Sequence, residues 1–179
     1  AFGVELHQYR RGNHYYHTHA EELKPPEELK DVLTGIFGLN TQPVARPYFH
    51  AAHHSTANTS FSPVDLAKIY QFPQEYTGKG QCIALLELGG AYDSNDLEQY
   101  LSGLGIATPQ ISVVQLDDAQ MKSSTDDQEV MLDIEVVAAV APDAECVLYF
   151  SPNTLQGFLD GINQIIHDEE RKPGILSIS

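Results

Sequence analysis

Gln81-Cys82-Ile83-Ala84-Leu85-Leu86-Glu87-Leu88 is a nearly unbroken apolar run that ends on an acid and is closed by Gly89-Gly90. A strand wetted on one face would alternate polar and apolar residues, so continuity predicts a strand covered on both faces. Apolar runs of the same kind return at Ile111–Leu116, at Glu145–Phe150 and over residues 174–179. Helical patterns separate them. Asp93 or Ser94 opens one that carries Leu97, Tyr100, Leu101 and Leu104; Asp127–Val140 is the next, and residues 154–167 hold Phe158, Leu159, Ile162, Ile165 and Ile166. Upstream, Ser62-Pro63-Val64-Asp65 reads as an N-cap with proline at the first helical position, ahead of a stripe of Leu66, Ile69 and Tyr70. Strand–helix–strand alternation predicts an α/β fold of right-handed βαβ units around a parallel sheet with flanking helices. The last strand leaves an edge without cover, so the sheet is expected to be incomplete in this chain.

The residues before Phe61 read differently. Phe2, Val4 and Leu6 alternate with Gly3, Glu5 and His7, the pattern of a half-buried strand, and Tyr15-Tyr16 suggests a second one. Pro25-Pro26-Glu27-Glu28 opens a predicted helix whose apolar face is Leu29, Val32, Leu33, Ile36 and Phe37, with Gly38 as its stop. So small a zone cannot hold a sizeable core alone and is expected to lean on another surface. Residues 50–60, HAAHHSTANTS, have no periodicity and no large apolar side chain, as in linkers that are nicked by proteolysis.

Composition excludes several classes of function. The chain has 179 residues with a formal net charge of −15, a sign that disfavours a nucleic-acid partner. No apolar run approaches the roughly 18–20 residues of a membrane span. Eight histidines add positive charge in acid, which is compatible with an acidic workplace. Cys82 and Cys146 each open an apolar run and read as small buried hydrophobes rather than a disulfide framework. Ala1 to Leu6 has no basic start and no signal-peptide pattern, so the chain is expected to begin inside a domain.

The densest acidic cluster runs from Asp126 to Glu135. On a helix Glu129 and Asp133 are four residues apart and share a face, where like charges repel, while Val130, Ile134, Val137 and Ala138 mark the buried side. The cluster reads either as a carboxylate pair at the border of the core or as an acidic first turn favoured by the helix dipole. Glu87 closes the first core strand, and ligands in open parallel sheets gather at the carboxyl ends of strands. It is therefore a site candidate, or else a solvated strand-end acid. Leu88-Gly89-Gly90 matches no phosphate loop. His14, His17 and His19 superficially suggest a metal, but no acid or cysteine stands beside them at structural-zinc spacing, so no metal site is expected in the chain. Protonation of His50, His53 and His54 below pH 6.5 would place positive charge beside an acidic chain, and detachment of the first zone in acid is one use for it.

Together these residues resemble the sedolisins, or serine-carboxyl peptidases, and their kumamolisin-type members in particular. Phe2-Gly3-Val4-Glu5-Leu6, Gly38-Leu39 and Ala45-Arg46-Pro47-Tyr48-Phe49 look like the second half of the family's propeptide. Phe61-Ser62-Pro63, Ile69-Tyr70-Gln71-Phe72-Pro73, Gly80-Gln81-Cys82-Ile83-Ala84 and Glu87-Leu88-Gly89-Gly90 look like the start of the mature enzyme. Glu129-Val130-Met131-Leu132-Asp133-Ile134-Glu135 is similar to the helix carrying the family's catalytic Glu and Asp; Ala141-Pro142-Asp143-Ala144 and Phe150-Ser151-Pro152-Asn153 follow in order.

The resemblance implies a subtilisin-like fold preceded by part of an α+β, ferredoxin-like prosegment. On this reading residues 1–48 are the C-terminal half of an inhibitory prosegment, 49–61 a linker with the processing site at His50, Ala51, Ala52, His53, His54 and Ser55, and 62–179 the N-terminal portion of a peptidase domain. The implied activity is that of a secreted, acid-active endopeptidase acting on proteins or peptides, made as a precursor inhibited by its own prosegment. Glu129 maps onto the general base that takes the serine's proton, Asp133 onto the acid that orients it, and Glu87 onto an outer carboxylate of the same network. A histidine base would stay protonated at pH 3–4, whereas a glutamate, with an ordinary pKa near 4.3, still holds a fraction of carboxylate there. An adjacent Asp lets the pair share a proton and titrate as a unit.

The sequence departs from the family at its nucleophile. No Gly-Thr-Ser occurs, the oxyanion-hole Asp and a Trp-Gly-Gly after Ser179 are absent, and so is the C-terminal calcium loop. Ser151, Ser177 and Ser179 are not promoted in the nucleophile's place. The chain is expected to be inactive alone, to be the N-terminal part of a precursor, and to need the remaining part of the catalytic domain as its partner; calcium enters only through the resemblance. A non-catalytic, degenerate peptidase-like binding or regulatory module is the alternative. A flavodoxin-like receiver or nucleotide domain fits less well, because Ser151-Pro152-Asn153 offers neither a phosphoacceptor nor a phosphate cradle.

Overall fold

In the computed structural model, which describes residues 2–46, 60–117, 119 and 121–179, the run at 81–88 lies at the middle of a parallel sheet. Its strand is β3 (Cys82–Glu87). Around it follow α2 (Ser94–Gly103), β4 (Ile111–Gln115), α3 (Asp127–Val140), β5 (Glu145–Phe150), α4 (Leu155–Ile166) and β6 (Ile175–Ile178). Ahead of it stand β1 (His7–Arg11), β2 (His14–Thr18) and α1 (Pro63–Ile69). The four core strands are ordered β4-β5-β3-β6 and every pairing is parallel, with Leu85 opposite Leu148 and Ser177.

Strand alternation divides the core into two layers. Ile83, Leu85, Cys146, Leu148 and Phe150 pack with Leu97 and Leu101 of α2 and Val130, Ile134 and Ala138 of α3. Ala84, Leu86, Val147 and Tyr149 face Ile165 of α4, with Phe158 and Ile162 against them. Each fully buried aliphatic or aromatic side chain contributes about 1.5–3 kcal/mol. Both faces of β3 and β5 are covered, which is the reason their runs are continuous.

The crossovers do not all share one hand. The chain moves outward from β3 to β4 and returns to β5, and α2 and α3, which make these two trips in opposite directions, lie on the same face. The trip from β5 to β6 uses the other face. Two crossovers therefore agree and the third, β4-α3-β5, is opposite to them. With right-handed connections the rule, that unit is left-handed, a correction to the expectation of uniformly right-handed units. The helix that carries Glu129 and Asp133 is this exceptional one. Its apolar side, Val130, Ile134 and Ala138, is buried in one cluster with Leu97 and Leu101 of α2.

The first zone corrects two expectations. Residues 2–6 form no strand: Gly3 takes a φ of 69°, which bends the chain, and the Lys24 amide bonds to the Phe2 carbonyl at 2.8 Å. The antiparallel pair is instead β1 with β2, joined at Gly12-Asn13, with Tyr9 stacked on Tyr16 at 5.7 Å and Arg10 over Tyr15. The helix expected over 25–37 shrinks to a single 3-10 turn at Glu27–Leu29. Val32, Thr34 and Ile36 are β-branched and Gly35 is a poor helix former, and Val32 stays 71% exposed. Without a surface to bury its apolar face, a short helix does not pay for its own nucleation. Of the α+β arrangement expected for these residues, the two-stranded antiparallel sheet is present.

His17 is used structurally, its Nε2 donating to the Gly38 carbonyl at 3.2 Å and its Nδ1 meeting the Thr41 hydroxyl at 3.3 Å. Cys82 and Cys146 are free thiols on opposite faces of the sheet, and burial pushes Cys146 up to about 12. The processing residues His50 to Ser55 lie outside the described residues.

Candidate active site

Glu87 ends β3, and its carbonyl accepts from the Ser151 amide at 2.9 Å, which fixes the carboxyl ends of β3 and β5 side by side. The two glycines that follow let the start of α3 come down onto this end. A Cβ on Gly89 would stand 2.8 Å from Asp126 Oδ2; one on Gly90, whose φ is 78°, would stand 2.9 Å from the Asp126 carbonyl carbon and 3.0 Å from Val130 Cγ2. Gly90→Ala combines a left-handed backbone with a clash against main chain. The expected cost is about 2 kcal/mol, read as a lower urea midpoint with unchanged slope; an unchanged midpoint would show that the close approach is not needed.

Asp127 then clips the loop to the helix. Its Oδ1 accepts from the Ala91 amide at 2.9 Å and the Ser124 amide at 2.8 Å, and its Oδ2 from the Ser123 hydroxyl at 2.5 Å. Burial alone would raise its pKa, but these donors hold it below the ordinary carboxylate value. The sequence reading passed over Asp127 as a site-building residue. Its signal was the Ser-Ser-Thr-Asp-Asp run, whose short polar side chains favour helix starts and turns.

Glu129 and Asp133 stand one turn apart on α3, both partly buried, and the structure brings them into electrostatic reach of Glu87. Glu87 is only 4% exposed. Its Oε1 and Glu129 Oε2 are both shielded from water and, among the described residues, have no hydrogen-bond partner. Burial, followed by the charges of Asp133 and Glu129, pushes Glu87 up to about 8, so it is a neutral carboxylic acid at acidic and neutral pH. Burial also raises Glu129, as do the charges of Asp133 and Asp126. Asp133 is raised by burial as well, against the lowering effect of the Ser179 hydroxyl that donates to its Oδ2.

Glu87 and Glu129 line a narrow cavity of about 30 Å³ with Asp126, Asn153, Ser179 and, from the first zone, Ala45 and Arg46. A much larger depression, about 830 Å³, lies on the other flank of α3 beside Asp93, Asp96, Asp127 and Glu135, and neither Glu87 nor Glu129 lines it. Glu87 and Glu129 of this cavity lie within electrostatic reach of Asp133, one turn along α3 and outside the cavity lining, so three carboxyl groups influence one another there, with Asp126 acting on Glu129 as well. One is held neutral and can donate, while a second and third share an environment that disfavours two charges together. Such a set can take a proton from a hydroxyl and hold it on a coupled pair.

Ser151 lies beside the site, but its hydroxyl is committed to the Gly157 carbonyl at 2.5 Å. Asn153 and Ser179 are the residues of this cavity that sequence reasoning did not single out as functional. Among the described residues no three His, Cys, Asp or Glu side chains are grouped so as to hold a metal ion. No described helix is long and apolar enough to cross a membrane.

Comparison with known proteins bears on this arrangement. No protein-family model matches the chain. Kumamolisin from Bacillus sp. (strain MN-32) is 42% identical over an alignment that covers the whole of this chain, and the chain spans 35% of that protein's length. A solved structure of Pseudomonas sedolisin, a serine-carboxyl proteinase complexed with two molecules of pseudo-iodotyrostatin, superimposes with a TM-score of 0.52 at 20% identity. That match covers 62% of this chain and 33% of the sedolisin chain, and it shows a shared subtilisin-like fold.

Proposed function

Because the chain belongs to the sedolisin family of serine-carboxyl peptidases, we propose that it is the prosegment end and first catalytic portion of a secreted, acid-active endopeptidase precursor. The observation that carries this reading is the burial of Glu87 and Glu129 in one cavity at the carboxyl end of the sheet, with Asp133 a turn further along α3. In the reaction, Glu129 takes the proton of a serine hydroxyl as its oxygen attacks the peptide carbonyl, and then delivers that proton to the leaving amine. Water, deprotonated by the same carboxylate, hydrolyses the acyl-enzyme. The serine belongs to the family's Gly-Thr-Ser motif, which these 179 residues do not contain. Asp133 orients Glu129 and shares its proton, and Glu87 serves as a neutral donor behind them.

Residues 1–48 act as the intramolecular inhibitor and residues 49–61 as the linker severed on maturation. Ala45 and Arg46, the last described residues of the 1–48 segment, support this by lining the carboxylate cavity. Casein cleavage by the full precursor tests the proposal. The expected result is activity at pH 3–4 that is lost towards neutrality, preceded by a cut within residues 50–60 found by N-terminal sequencing. An enzyme most active at neutral pH, or a protein inert after that cut, would contradict it.

A further inference from the structure

Asn153 occupies the turn between β5 and α4, next to Thr154, whose hydroxyl caps α4. Its carboxamide makes three hydrogen bonds to a segment 108 and 109 residues away in sequence. Oδ1 accepts from the amides of Val44 and Ala45, both at 3.0 Å, and Nδ2 donates to the Ala45 carbonyl at 2.9 Å. All three partners are main-chain atoms. Nothing in these bonds depends on which side chains Val44 and Ala45 carry, and Val44 is 51% exposed.

A carboxamide carries the donor and acceptor of a peptide unit, and here two consecutive amides converge on its single oxygen. The strip so held leads directly into the cavity lined by Glu87, Glu129 and Ser179, where Ala45 and Arg46 join them. A group that grips a main chain without regard to sequence, beside a proton-transfer site, meets a need that a peptide substrate shares with the prosegment.

We propose that Asn153 is a substrate-positioning residue, a main-chain clamp for the peptide being cleaved, and that Val44-Ala45 borrows this clamp in the precursor. The inference rests on the peptidase reading above. It adds that one subsite is read through backbone alone, so that side chains docked there count for little while chain length counts for much.

A ladder of peptides lengthened one residue at a time on either side of the scissile bond tests it in the matured full-length enzyme. The wild type should show one length step at which KM falls about tenfold to a hundredfold, the value of two or three good hydrogen bonds. Asn153→Ala should erase that step while leaving kcat on the longest peptide and the acid pH profile as they were. Asn153→Gln, which keeps the carboxamide but displaces it by one methylene, should retain part of the step; it also serves if the alanine variant melts early. A step that survives both substitutions, with only inhibition by the prosegment weakened, would overturn the clamp and leave the peptidase reading standing. A wild type that cleaves no peptide of any length would sink that reading, and the clamp with it.

Discussion

Glu129→Gln in the full-length enzyme, matured in trans by added wild-type enzyme, is expected to lower kcat by about 10³–10⁴-fold with little change in KM. The amide keeps the size and one acceptor of the carboxylate but has no basic oxygen at any working pH. The loss should therefore fall on the proton-transfer step rather than on binding. Asp133→Asn should cost less, because it removes the partner that shares the proton and leaves the base. The double variant should be hardly worse than Glu129→Gln, since an orienting residue has nothing to orient once the base is gone. The kinetics are read with a single peptide at pH 3–4. Equal kcat in Glu129→Gln and wild type would remove Glu129 from the mechanism.

Glu87 controls a second large effect, on stability. Its ordinary value of 4.5 is pushed up to about 8 by burial and by the charges of Asp133 and Glu129. The unfolded chain releases this proton near pH 4.5, the folded one near 8. The stabilisation is therefore fully present below the unfolded value and is lost as pH rises through the folded one. A shift of this size corresponds to on the order of 4 kcal/mol across that window, which for a chain of this length is a melting-temperature change of roughly 10 °C. Glu87→Gln keeps a neutral, hydrogen-bonding side chain at every pH. Melting curves between pH 4 and pH 9 should fall for wild type and stay much flatter for the variant. Parallel curves would place the pH sensitivity elsewhere.

Much of the sheet was legible because its signals are two-sided. The continuous runs at 82–87 and 145–150 read as strands buried on both faces, and the spacing of Val130, Ile134, Val137 and Ala138 marked the buried side of the helix over 127–140. Ser62 before Pro63 gave the start of α1, and its reciprocal bonds with Asp65 form a capping box. The same pattern logic failed at 25–37. Spacing reports a possible apolar face and says nothing about a surface to receive it, so Val32 and Phe37 remain exposed there. Crossover hand was equally hidden, since it depends on which face α3 shares with α2.

In the site, helical spacing put Glu129 and Asp133 on one face, and strand-end position pointed to Glu87. What spacing could not reveal was burial: the two shielded carboxyl oxygens, the elevated Glu87 and the Gly89-Gly90 seat for α3 all arise from packing between segments far apart in sequence. Asn153 escaped for a similar reason. Its partners lie in the first zone, and a turn residue after a strand has many bland explanations.

Glu129 and Asp133 are expected to behave as one proton-holding unit beside a neutral Glu87. Carboxyl-¹³C NMR titration of the precursor, with resonances assigned by the Glu129→Gln, Asp133→Asn and Glu87→Gln variants, measures this directly. Glu129 and Asp133 should each show two steps, collapsing to one in Glu129 when Asp133 is replaced, while Glu87 stays protonated past pH 7. Independent single steps near the ordinary 4.5 and 3.8, indifferent to each other's replacement, would contradict it.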